Sequence, residues 1–263
     1  MEQDTQNIQN TQDARVRLEV AVQDWAGARL AREAGADRIE LCMALGATGG
    51  LTPSQALIRL TSQVELPLGV QVLIRPRGGD FVYTADEQEV QVLDARLAIR
   101  AGASGIVVGA LERGGQIDRD FAQRMAEVAQ QESERQGRHI DLTFHRAFDA
   151  ARDREAALET LIALGYDRVL TSGGAPTVGE GLESLQQLAG QAQGRIQIMA
   201  GGGLKPEGIG HAVAAGVNAV HLSARKVLTS SGGPGGGGEA SQIESTDQAV
   251  VAAAAAALQS ALA

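Results

Sequence analysis

Seven polar residues, Glu19, Glu40, Arg75, His145, Ser172, His221 and Ser223, sit in or at the ends of short apolar runs, where each needs a physical reason. Carboxylates and imidazoles brought together can move protons, with Glu19 or Glu40 as base and His145 or His221 as acid. Arg75 and Arg146 are natural anion ligands. The backbone amides of Thr171-Ser172-Gly173-Gly174 and Gly201-Gly202-Gly203 could complete a cradle for a phosphate or carboxylate. A third chemistry is metal binding through Cys42, His145 and His221, because a thiolate with imidazoles suits Cu(I) or Zn. Each option has a plain rival. Buried Glu and Arg can satisfy one another and fix strand register, a tight turn alone accounts for a run of glycines, and a lone Cys42 fits equally well as a small buried hydrophobe.

The elements that must position these residues are short β-branched runs alternating with amphipathic segments, the pattern of a parallel sheet with helical crossovers. Eight strands are expected at 16 to 22, 37 to 42, 68 to 75, 104 to 109, 139 to 145, 167 to 172, 195 to 199 and 219 to 223. Helices lie between them, some announced by prolines in a first turn, as at Thr52-Pro53 and Lys205-Pro206. AREAGADRIEL, AIRAGASGIVV, IALGYDRVL and AVAAGVNAVHL echo one another as helix, glycine, strand. Eight such units point to a (β/α)8 TIM barrel, for which 263 residues suffice.

Strands covered on both faces should be continuously apolar, yet these alternate. Leu18 and Val20 oppose Glu19, Ile39 and Leu41 oppose Glu40 and Cys42, and Val72 and Ile74 oppose Gln71 and Arg75. Ile140, Leu142 and Phe144 likewise oppose Thr143 and His145, and Val220 and Leu222 oppose His221 and Ser223. If the apolar faces meet the helices, the seven polar residues converge from six strands on the barrel mouth, where enzymes of this architecture keep their chemistry. That convergence favours a small-molecule or metal site over a purely structural network, since buried charge is costly.

Composition limits the partners. A net charge of −9 argues against nucleic acid, which is bound through Lys and Arg, and favours solubility; the partner expected from the inward polar residues is a small anion or metal ion. A single cysteine excludes an internal disulfide and suits a reducing cytoplasm. No stretch suggests a membrane span; the Ala-rich run VVAAAAAALQSALA reads as a packed helix. Residues 1–14 are expected to be a disordered polar tail, residues 15–263 a single barrel domain, and the Gly/Ser-rich stretch near 229–247 a flexible loop.

From Leu18 to Arg225 the chain also resembles the CutC copper-homeostasis family, through LEV, GADRIELC, GGLTPS, IRPRGGDFVY, TFHRAFD, DRVLTSGGAP, GGGL and VHLSAR in order. The resemblance implies a TIM barrel, a cytoplasmic homodimer or higher homo-oligomer, a role in copper homeostasis and copper as the bound ion, with Cys42, His145 and His221 as soft ligands. Two positions depart from the family pattern. Ala21 stands where members often carry cysteine, leaving one thiol where Cu(I) prefers two or more soft ligands, and Ala200 stands where proline commonly precedes the triple glycine. The residues thus leave two functions open: copper binding, or an enzyme (lyase, epimerase or isomerase) for a phosphorylated or carboxylated small molecule. In the enzyme, Arg75, Arg146, Ser172, Gly201, Gly202 and Ser223 would hold the anion.

Overall fold

The computed structural model describes residues 15–229 and 242–263. The expected tail of residues 1–14 and the middle of the Gly/Ser-rich stretch lie outside the described residues. Eight parallel strands close into a barrel in sequence order: β1 (Arg17–Val22), β2 (Arg38–Leu41), β3 (Val70–Leu73), β4 (Gly105–Val108), β5 (Asp141–Phe144), β6 (Arg168–Thr171), β7 (Gln197–Gly201) and β8 (Ala219–Leu222). Parallel pairing of β1 with β8 closes the ring. Each strand falls where alternation placed it, except that β7 runs on to Gly201 instead of stopping near 199.

Helices cover the outside: α1 (Trp25–Glu33), the single turn α2 (Leu45–Thr48), α3 (Gln55–Thr61), α4 (Ala85–Arg100), α5 (Arg119–Gln136), α6 (Arg154–Ala163), α7 (Leu182–Ala192), α8 (Ile209–Ala214) and α9 (Gln248–Ala261). Their starts are encoded locally. Asp24, Asp118, Asp153 and Asp247 each accept a hydrogen bond from a first-turn amide, and Thr84 with Glu87 forms a reciprocal capping box at α4. Their ends follow the echo seen in sequence: Gly35 and Gly102 take φ of +97° and +114°, which a side chain would resist, and turn the chain into the next strand.

The outward residues Leu18, Val20, Ile39, Leu41, Val72 and Ile106 are buried against the helices in one continuous apolar core. Their sequence neighbours face inward, where two small apolar clusters, Cys42 with Leu73 and Val107, and Leu170 with Met199 and Ala219, are separated by polar residues. No helix among the described residues is long and apolar enough to cross a membrane.

The stretch from 229 to 247 departs from the expected loop at its ends. β9 (Arg225–Thr229) pairs antiparallel with β10 (Gln242–Thr246), giving a hairpin between β8 and α9. Tertiary anchoring outweighs the weak local signal: Glu244 pairs with Arg225, accepts from Gln23 at 2.8 Å, and receives the Gly46 amide at 2.9 Å.

Candidate active site

Register turns strand parity into a site. Glu19 lies opposite Arg38 on β2 and opposite His221 on β8, so three ionisable side chains meet inside the barrel. Glu19 is 1% exposed, pairs with the Arg38 guanidinium and bonds His221 Nδ1 at 2.8 Å. Burial alone would raise its pKa, but the Arg38 charge and the His221 hydrogen bond reverse that and hold Glu19 far below the carboxylate range. Burial disfavours the His221 imidazolium, yet Glu19 and Glu40 together push its pKa above the ordinary value.

One step nearer the mouth, Glu40 occupies a different environment. It is 5% exposed and has no hydrogen-bond partner among the described residues; its charged neighbour is His221, with Nε2 at 3.8 Å. Desolvation, with a further push from Glu19 against the pull of His221, raises Glu40 to about 7. A carboxyl group poised there can take or give a proton near neutral pH.

Glu40 and His221 line a mouth cavity of about 430 Å³ together with Arg75, Phe81, His145, Arg146, Gly202, Gly203 and Ser223. A larger depression of about 1030 Å³ lies on the outer flank near Arg119, Arg154 and Ser184. It is remote from the inward-facing residues, which line the smaller cavity instead. His145 is buried, stacks at 5.1 Å on Phe81, and accepts the Ala147 amide on Nδ1 at 3.1 Å. Gly109 leaves room for its ring, since a Cβ there would fall 2.5 Å from Nδ1. Burial, with the nearby Arg75 charge, drives the His145 pKa down to about 3, so the ring is neutral.

The expected anion ligands divide. Arg146 follows β5 in a 3-10 turn (Arg146–Ala150), with Nε on Asp149 at 2.8 Å and Nη2 on Ser172 Oγ at 3.1 Å. Nη1 has no partner among the described residues. A Cβ on Gly202 would lie 2.7 Å from the Arg146 Cζ, so glycine is what lets that guanidinium lie against the β7 turn. Arg75 is buried and forms no salt bridge among the described residues; Nη1 and Nη2 bind the carbonyls of Thr48, Gly50 and Gly79 and knit together the loops after β2 and β3.

Three expectations need correction. The Thr171-to-Gly174 amides do hold an anion, but it is the protein's own Asp149, which accepts from Ser172 N and Gly174 N at 3.0 Å each. Ser172 is fully buried and reaches the site only by holding Arg146. Gly201 is also outside the cavity; it packs so closely on Leu170 and His221 that a Cβ would clash.

Of the expected copper ligands, His145 and His221 line the cavity and Cys42 does not. Cys42 is 0% exposed, lies outside the cavity wall, and packs under the loop at Gly50, with Sγ 3.7 Å from the Val22 carbonyl. Burial and the nearby carboxylates keep it a thiol. Among the described residues, the one group of three donors close enough to share an ion is His139, Asp141 and Asp167, and it lies at the foot of the barrel. It contains no sulfur. The donor set at the mouth therefore does not fit Cu(I).

Arg38, Arg168, Asp149 and Phe81 were not singled out by sequence. Arg38 shares parity with Glu40 on β2 and could have been placed inward by the same alternation. Asp149 and Phe81 lie beyond strand ends, where parity carries no information.

Comparisons with known proteins agree with this architecture. The model of the CutC family matches residues 16–226. A protein of Agrobacterium fabrum described as family protein CutC is 45% identical over 192 residues, covering 73% of this chain and 72% of that one. The human copper homeostasis protein cutC homolog is 43% identical over 215 residues, covering 81% and 75%. The crystal structure of the Streptococcus agalactiae CutC protein superposes with a TM-score of 0.71 at 29% identity, covering 78% of this chain and 97% of that one. With the barrel closed and its motifs in place, this chain belongs to the CutC family.

Proposed function

We propose that the barrel mouth is an acid–base site for a small anionic organic molecule, with Glu40 and His221 as the proton-transfer pair and Arg146 as the anion ligand. The observation that carries this reading is Glu40 itself: a buried carboxyl group that lines the cavity, without a hydrogen-bond partner among the described residues and with Arg146 in the same cavity wall. Burying such a group without a partner costs stability, and proteins accept that cost where the group reacts. The Gly202–Gly203 turn lies beside Arg146, at the β7 end, where many barrels bind anionic groups.

A second reading comes from the human and mouse relatives, each 43% identical and named copper homeostasis proteins. On that reading this cytoplasmic homo-oligomer binds Cu(I) through Cys42, His145 and His221. Calorimetric titration of the purified chain with malonate, inorganic phosphate and chelator-buffered Cu(I) separates the two. The acid–base reading expects saturable binding of a dianion that weakens about tenfold or more in Arg146→Ala, the worth of a charge-assisted hydrogen bond. Stoichiometric Cu(I) uptake lost in Cys42→Ser, with no anion binding, would establish the copper reading instead.

A further inference from the structure

His145 has a property that the acid–base pair does not use. Its Nε2 is buried, has no hydrogen-bond partner among the described residues, and belongs to a ring that lines the mouth cavity. Geometry fixes which nitrogen carries the proton. Nδ1 accepts the Ala147 amide, so it presents a lone pair, and the hydrogen must sit on Nε2. The ring cannot turn away: Phe81 and Phe144 flank it with centroids at 5.1 Å and 6.0 Å, and the β4 end at Gly109 abuts it. A buried donor left open costs free energy in the ligand-free protein, which a ligand acceptor would recover.

We propose that His145 is a fixed N–H donor to a carbonyl oxygen, so that the molecule handled at the mouth is a carboxylated or phosphorylated compound bearing a carbonyl beside an acidic C–H, and the reaction passes through its enolate. This rests on the acid–base reading above and gives it a substrate class.

The step balances within the named groups. The Glu40 carboxylate takes the proton from the carbon next to the carbonyl. The C–H electron pair becomes the C=C bond, and the carbonyl π pair moves onto oxygen, where the His145 Nε2–H holds it. A neutral imidazole fills this role by polarising the carbonyl through its N–H without giving up that proton, and the low pKa of His145 keeps it neutral throughout. Return of the proton from Glu40 to carbon completes the cycle with no oxidant or reductant.

Two probes test the inference on the whole chain: oxalate, a planar conjugated dianion shaped like the enolate of a 2-oxo acid, and malonate, of equal charge but interrupted by a saturated carbon. Titration calorimetry is expected to show oxalate binding about tenfold more tightly than malonate, the worth of one good hydrogen bond to a charged oxygen. That preference should vanish in His145→Ala and persist in His145→Gln, which keeps a side-chain N–H. Equal binding of the two, or a preference indifferent to residue 145, overturns the carbonyl assignment and leaves the anion site standing. Binding of neither overturns the acid–base reading itself. If His145→Ala does not fold, nitrogen NMR of the unsubstituted chain decides: protonation at Nε2 alone from about pH 5 to 9 is expected, and an Nδ1–H tautomer or an imidazolium would overturn the inference.

Discussion

The lower barrel interior and the barrel mouth are built from the same kinds of residues at the same strand parity, but they differ in how completely those residues are satisfied. Below, Glu19 is held by Arg38 and His221, and Arg168 bonds Thr143 at 2.8 Å, Gln197 at 3.0 Å and Asp141 at 3.5 Å. Each charge there has a counterpart, and the network fixes register in the way expected of buried ion pairs. At the mouth, Nε2 of His145 is buried without a partner among the described residues, and Glu40 makes no hydrogen bond to them. The contrast separates two uses of buried polarity: a closed network supports the fold, whereas an open one is kept for a ligand. His221 joins them, bonding Glu19 below and facing Glu40 above.

The comparison makes opposite demands on substitutions in the two regions. The largest expected effect is in the lower network. Arg38→Met leaves Glu19 buried without its main counter-charge and should cost about 3 to 5 kcal/mol in chemical denaturation; a loss under about 1 kcal/mol would show that the lower network is dispensable too. At the mouth the sign reverses. Glu40 has its folded-state pKa raised to about 7, so its contribution is present below the unfolded value and lost as pH rises through about 7. Glu40→Gln removes that penalty and should stabilise the protein by about 3 kcal/mol above pH 7, with little change near pH 4. Urea melts at both pH values check this, and a destabilised variant at high pH would mean that Glu40 is a structural anchor like Glu19.

Much of this division was legible in sequence, for a definite reason. Alternation within an apolar strand identifies the inward face, so Glu19, Glu40, Arg75, His145, His221 and Ser223 could be assigned to it before any coordinates. Parity does not give depth or partner. Glu19 and Glu40 looked equivalent, yet one is locked by Arg38 and the other is open, because their heights along the barrel axis differ. Nor does it reveal what fills a turn: the Gly173–Gly174 amides looked vacant until Asp149, from the preceding βα loop, occupied them. Cys42 shares the inward parity, but the loop at Gly50 covers it. The hairpin of β9 and β10 escaped notice because its anchors, Gln23 and Gly46, are remote in sequence.

The titration of Glu40 tests the account most directly, since the open mouth is defined by that carboxyl group. Carbon NMR of the glutamate side chains, with Glu40 assigned through Glu40→Gln, reads it without knowledge of a substrate. The expected result is a midpoint near 7 for the Glu40 carboxyl group. A midpoint in the ordinary glutamate range, about 4.3, would show Glu40 to be solvated or paired and would contradict the assignment of the barrel mouth as an acid–base site.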